Sequence, residues 1–264
     1  MTKKPTYDGS ILSFQQKRGE ESCAFLLPFL EPDMRLLDIG CGPGTVTATL
    51  AAHVGQATGV DIQPRSIAAA NELVAGIGNL SFREADMMAL PFDDESFDAV
   101  FFHAVLYHQD PPTLAKTLAE ARRVLRPGGL VATRDADIGG NVLHPDLPGL
   151  RLALDLWQRW YEHGEPDALH FGRRQGAALR AHGFVPVWAG ASYVNHSADA
   201  ATRRETVEDA RQSLTSLGPK LIEKGHATEA ELEQALLAWD AWGSEPDAVY
   251  LRCRCECVAR KPQW

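Results

Sequence analysis

One stretch constrains this chain more than any other: Leu36-Leu37-Asp38-Ile39-Gly40-Cys41-Gly42-Pro43-Gly44-Thr45. An apolar strand runs into a glycine turn spaced G-x-G-x-G, and a helical pattern follows at once. That order places a ligand at the carboxyl edge of a sheet, where backbone lacking Cβ atoms lets it come close. A dinucleotide site would space its glycines G-x-G-x-x-G and set a pyrophosphate on the helix N-terminus. Here Asp38 stands two residues before the first glycine. A carboxylate at that place repels pyrophosphate and attracts a cationic amine. The plain alternative is a sharp strand-to-helix turn with no ligand.

Short apolar runs alternate with helical patterns on either side of this turn, the mark of parallel strands joined by crossover helices. Strands are expected at Arg35–Ile39, Ala57–Asp61, Leu80–Ala85, Phe97–Val105 and Leu130–Arg134. Helices are expected at Thr45–Ala52, Arg65–Ala75 and along Leu114, Leu118, Ala121 and Leu125, the last stopped by Arg126-Pro127-Gly128-Gly129. The second half reads differently. Leu150 to Tyr161 is apolar on two faces, Arg173–His182 is helical, and Phe184–Trp188 is a strand. Asp199 caps a helix from Ala200 to Leu217 that is expected to break at Gly218-Pro219, and Thr228 with Glu231 opens another through a capping box. Val249–Val258 alternates as a half-exposed strand at the sheet's end. The Pro/Gly clusters at 139–149 and 243–247 read as connections rather than linkers.

Two further carboxylates follow in strand order. Asp61, at the tip of the second strand, can accept from both ribose hydroxyls. The ligand implied is thus a nucleoside bearing positive charge. Asp86, in Ala85-Asp86-Met87, can accept from an adenine amino group with Met87 on the ring face, or simply cap a loop.

Taken together, the Asp38–Gly44 turn, Asp61, the Ala85-Asp86 pair, LPFDDESFDAV (90–100) and RVLRPGGL (123–130) resemble class I S-adenosylmethionine-dependent methyltransferases. The likeness is to the bacterial small-molecule branch that resembles the ubiquinone/menaquinone-biosynthesis enzymes, and it covers roughly Pro32 to Asp135. It implies an α/β Rossmann-like sheet of seven strands, the last antiparallel, with helices on both faces and a helical cap. It implies one methyltransferase domain over 1–264, its core at about 32–145, 173–195 and 247–261 and its cap at about 1–31, 146–172 and 199–245. The cofactor implied is S-adenosyl-L-methionine. Asp38, Gly40, Cys41 and Gly42 would hold its methionine amine and shape the turn. Asp61 would bind the ribose, Ile62 would pack on the adenine, Asp86 would take the adenine amine, Gln63, Ala85 and Met87 would also meet the cofactor, and His103 would sit beside it. His103 as a satisfied core histidine is the competing reading.

Methyl transfer from a sulfonium requires alignment and a dry site, and a base only if the acceptor loses a proton. His108, in Leu106-Tyr107-His108-Gln109-Asp110 beyond the fourth strand, is the candidate base, with Tyr107 and Asp135 as further catalytic candidates; a loop histidine bonded to backbone or to Asp110 is the alternative. Asp137, Tyr7, Trp157, Tyr161, His170 and Tyr193 are candidates for acceptor contact. The tryptophans of the variable half suggest a small, mostly apolar, aromatic or indole-like acceptor of the kind met in secondary metabolism, although aromatic stripes at helical spacing are more often core.

With 26 Lys+Arg against 35 Asp+Glu the chain carries −9, which disfavours nucleic acid and anionic membranes as partners. No apolar run is long enough to span a bilayer and the start lacks a signal-like segment, so a cytoplasmic monomer or homodimer is expected. Cys253, Cys255 and Cys257 share one face of a strand and read as buried thiols, with no metal expected. Two other classes compete: a catalytically silent S-adenosylmethionine-binding interaction module, and a nicotinamide oxidoreductase, whose pyrophosphate the glycine spacing and Asp38 oppose.

Overall fold

The structure is a computed structural model that describes residues 19–73, 76–161 and 168–263. Two compact units divide the chain. The first holds the residues up to Asp135, Arg174–Gly190 and those from Glu256 onward; the second holds Ala136–Arg173 and Ala191–Cys255.

In the first unit the β-α repeats form as the apolar pattern demands: β1 (Arg35–Ile39), α1 (Thr45–Ala51), β2 (Gln56–Asp61), α2 (Pro64–Leu73), β3 (Leu80–Glu84), β4 (Phe97–His103), α3 (Pro111–Val124) and β5 (Leu125–Ala136). Strands β3-β2-β1-β4-β5 lie side by side in that order. The pairs β1–β2, β1–β4, β2–β3 and β4–β5 are all parallel. Leu36, Leu37 and Ile39 are at most 1% exposed because a parallel strand covered on both faces must be apolar throughout. Order reverses between β1 and β4, and the cleft outside the strand ends at such a point is where these sheets bind ligands. Asp110 caps α3 by accepting from the Thr113 N–H, with Pro111 where a missing N–H costs nothing. Leu36, Leu50, Phe101 and Ala132 lie in the core that results.

Helix α3 ends at Val124, as Pro127 and the two glycines require, yet β5 begins at Leu125, well before Leu130. The Gly128 N–H donates to Lys261 and the Lys261 N–H to Gly129, so the Pro-Gly-Gly segment is held by the last strand. That strand, β8 (Val249–Arg260), lies next to β5 and antiparallel to it. It is not at the sheet's end, because a further strand pairs on its other side. Its tail Cys257–Ala259 is accordingly buried rather than alternating.

The second unit contains β6 (Val142–His144), α4 (Pro148–Tyr161), α6 (Ala200–Glu223) and α7 (Glu229–Ser244); α5 (Gln175–Ala181) belongs to the first unit, while β7 (Val185–Asn195) and β8 (Val249–Arg260) run through both. A 3-10 turn, Ala168–Arg174, stands where the expected helix from Arg173 would have begun. β6 lies in the stretch read as a plain connection and brings the strands among the described residues to eight; it pairs antiparallel with the start of β8, Val142 opposite Leu251. β7 pairs with β8 and extends past Trp188 to Asn195.

Helix α6 does not break at Gly218-Pro219. Its buried row, Thr206, Ala210, Leu214, Gly218 and Leu221, continues across the proline, and a Cβ on Gly218 would lie 2.5 Å from Leu232 Cδ1 of α7. Close helix packing thus holds a segment that propensity alone would end. The capping box forms as expected, with Thr228 Oγ1 accepting from the Glu231 N–H and Glu231 accepting from the Thr228 N–H at 2.8 Å. Trp239 and Trp242 meet edge to face, their centroids 5.5 Å apart, and both pack on Tyr250. No helix among the described residues is long and apolar enough to cross a membrane.

Candidate functional site

The glycine turn docks on the end of β2: the Gly40 and Cys41 N–H groups both donate to the Val60 carbonyl, at 2.8 and 3.0 Å. Gly40 has φ +78°, and a Cβ there would lie 2.5 Å from Val105 Cγ2. Gly44 has φ +79° at the cap of α1, where a Cβ would lie 2.4 Å from Phe82 Cζ. Neither position admits another residue without displacing its neighbour. A narrow cavity opens beside this turn, lined by Asp38, Gly40, Cys41, Gly42, Val46 and His103.

Asp38 is 2% exposed, and its Oδ2 accepts from Thr47 Oγ1 at 2.6 Å. Burial pushes its carboxyl up to about 7; the Thr47 hydrogen bond opposes the rise and the Asp61 carboxylate adds to it. Asp61 accepts from the Gly42 N–H at 3.1 Å and the Gln63 N–H at 2.8 Å, and burial raises its pKa as well. Two carboxylates thus flank the turn, Asp38 on the cavity wall and Asp61 on the Gly42 N–H. A positively charged amine would relieve their desolvation and mutual repulsion, whereas a pyrophosphate would increase both. The donor set fits the amine and hydroxyls of S-adenosylmethionine.

Around the cavity, the Ala85 N–H donates to the Asp61 carbonyl. Asp86 caps its own turn, one oxygen accepting from the Met88 N–H at 2.9 Å, and Ile62 and Met87 are half-buried. His103, 9% exposed at the end of β4, is bonded through Nε2 to Arg134 Nη1 at 2.9 Å. Arg134 in turn donates from Nε to Glu256 at 3.1 Å, with both side chains buried. Tyr107 and His108 lie in the 3-10 turn Leu106–His108, their ring centroids 3.7 Å apart, and Asp135 is wholly buried in β5.

The acceptor candidates Asp137, Trp157, His170 and Tyr193 belong to the second unit. Asp137 is buried and accepts three bonds from Arg173, two from Nε and Nη2 and one from the backbone N–H, which hold its pKa below the usual carboxylate range against burial. His170 adds a smaller favourable charge there. Trp157 is half-buried and Tyr193 is exposed. Tyr7 and the Tyr161 side chain lie outside the described residues. Trp239 and Trp242 are core, and Trp160 has the Lys220 and Lys224 ammonium groups over its ring.

Sequence reasoning missed three groups. Thr47 is a hydroxyl on the buried stripe of α1, Arg134 a guanidinium inside an apolar strand, and Glu256 the single acid of β8. Each was marked by its place: a polar side chain on a buried face must find a partner.

A methyltransferase-domain family profile matches residues 36–129. The chain is 31% identical to the probable methyltransferase ltbC of Aspergillus luteorubrus over 98% of this chain and 96% of that one. It is also 31% identical to 27-O-demethylrifamycin SV methyltransferase of Amycolatopsis mediterranei, over 97% and 87%. In fold it is similar to an S-adenosylmethionine-dependent methyltransferase of Methanosarcina mazei, with a TM-score of 0.54 and 19% identity over 91% of this chain and 98% of the other. Full-length similarity of this degree, on a sheet carrying the Asp38–Gly44 turn, makes the chain a member of the class I S-adenosylmethionine-dependent methyltransferases.

Proposed function

We propose that this enzyme methylates a small, mostly apolar metabolite by in-line displacement, and that its acceptor atom is a hydroxyl oxygen. The relative named for 27-O-demethylrifamycin SV supports an oxygen acceptor on a small molecule. The observation that carries the cofactor side of the reading is the buried Asp38 carboxylate on the wall of the glycine-lined cavity.

When bound, the cofactor supplies an electrophilic methyl on a cationic sulfur. Asp38 would hold the amine, with Thr47 keeping its carboxylate oriented. Asp61 would bind the ribose hydroxyls. Asp86, with one oxygen on the Met88 N–H, would take the adenine amine. Gly40 and Gly42 let the backbone approach, with Cys41 between them and Ile62, Gln63, Ala85 and Met87 beside the base. Alignment of this kind supplies up to about 7–11 kcal/mol of the barrier, and no enzyme nucleophile takes part.

A hydroxyl acceptor must lose its proton, and His108 is the base we assign, next to Tyr107 on the turn after β4. Asp135, wholly buried, is assigned a supporting place rather than contact with the acceptor. Trp157, His170 and Tyr193 are the acceptor-side candidates, and Asp137 acts there through Arg173.

The test is transfer of labelled methyl from S-adenosylmethionine to paired acceptors that differ only in bearing a hydroxyl or an amine. Preference for the hydroxyl member, with transfer lost in His108→Ala while S-adenosylhomocysteine affinity stays within about twofold, supports the reading. Preference for the amine, or unchanged transfer to the hydroxyl member in His108→Ala, overturns it.

A further inference from the structure

Arg134 sits inside β5 at 2% exposure and is bonded to His103 and to Glu256. A guanidinium has five donors and no acceptor, so in its 2.9 Å bond to His103 the imidazole Nε2 must be the acceptor. A proton on Nε2 would set two N–H donors against each other in a buried place, and on an imidazolium would set two cations together as well. Glu256, 6% exposed, takes the Arg134 Nε–H and balances its charge. His103 itself lines the cavity it shares with Asp38, and its ring stacks on Phe101 with an interplanar angle of 7°. Glu21 and Cys23 of the N-terminal segment also act electrostatically on Arg134.

We propose that Arg134, backed by Glu256, is a positioning residue that holds His103 as the neutral imidazole with its proton on Nδ1. His103 is then excluded as a base through Nε2. A neutral ring on this wall also adds no positive charge to a cavity that receives a sulfonium. The tautomer follows from the chain's own bonds; the benefit to the sulfonium rests on the cofactor reading.

The test begins on the full chain without cofactor, labelled with 15N-histidine, by long-range proton–nitrogen spectra. The expected result is a bare Nε2 and a protonated Nδ1 for His103, unchanged from about pH 5.5 to 8. A protonated Nε2, or titration with an ordinary midpoint of about 6.5, overturns the proposal. The paired variant Arg134→Met with Glu256→Gln removes both charges together and strands neither. In it His103 is expected to titrate, and affinity for S-adenosylmethionine at pH 5.5 to fall about tenfold relative to that for S-adenosylhomocysteine. Both ligands carry the same amine, so their ratio cancels any titration of Asp38. An unchanged ratio in a variant whose His103 does titrate overturns the sulfonium part. Should the variant fail to fold, the wild-type spectrum decides alone. Failure of the cofactor reading looks different: neither ligand binds, while the Nδ1–H tautomer stands.

Discussion

The strand–turn–helix at Arg35–Ala51 and the helices α4 and α7 were equally conspicuous in the sequence, one for its glycines and the others for their tryptophans. In the first, residue types conflict with packing: a carboxylate at 2% exposure, and glycines where a Cβ would lie 2.4 to 2.5 Å from a neighbour. In the second they agree with it, since Trp239, Trp242 and Tyr250 bury one another at centroid distances of 5.5 to 6.2 Å. A side chain that costs stability where it stands implies a ligand that repays it; aromatic rings packed on one another imply only a core.

The sharpest way to break this comparison is Trp242→Ala. If the aromatic row is structural, the substitution lowers unfolding stability by about 3–5 kcal/mol in urea denaturation while leaving S-adenosylhomocysteine affinity within about twofold under native conditions. A large affinity loss at unchanged stability would place that row in the site instead. Gly42→Val works in the opposite direction. Gly42 has φ +55°, a conformation β-branched residues avoid, and it lines the cavity. Ligand affinity is expected to fall about a hundredfold by calorimetry, about 2.7 kcal/mol.

Much of the fold could be read because the β-α repeats obey simple periods: Leu36 to Ile39 and Phe97 to His103 are apolar runs of strand length, and α3 shows its stripe and its stop. The turn could be read because an acid before glycines has few purely structural uses. What could not be read depends on partners distant in the chain. Arg134 and Glu256 are 122 residues apart, so neither periodicity nor spacing pairs them. Helix α6 runs through Pro219 because Gly218 fits against Leu232, a contact that no local propensity encodes. Asp137 showed its residue type but not its commitment to Arg173, and β6 is too short to show a period.

Two smaller effects sharpen the contrast. Without ligand, Asp38 holds its proton up to about 7 in the folded state but only to its ordinary 3.8 when unfolded. The folded form therefore binds more protons between these values, and this group's contribution to stability falls as pH rises from about 4 to about 7. Asp61 acts in the same direction. Melting temperatures across that range should show the slope, and Asp38→Asn should reduce it. In the second unit Thr228→Ala should cost about 1 kcal/mol by loss of the capping box, with no effect on ligand affinity.

The central claim is that Asp38 is buried in order to meet an ammonium group, and calorimetry of S-adenosylhomocysteine at pH 6 and pH 8 tests it directly. Wild-type protein should bind about tenfold more tightly at pH 8, because at pH 6 the ligand must first displace the Asp38 proton. Asp38→Asn, which keeps an oxygen for Thr47, should bind about a hundredfold more weakly and equally at both values. Binding by Asp38→Asn as tight as wild type, with the same pH dependence, would contradict the account.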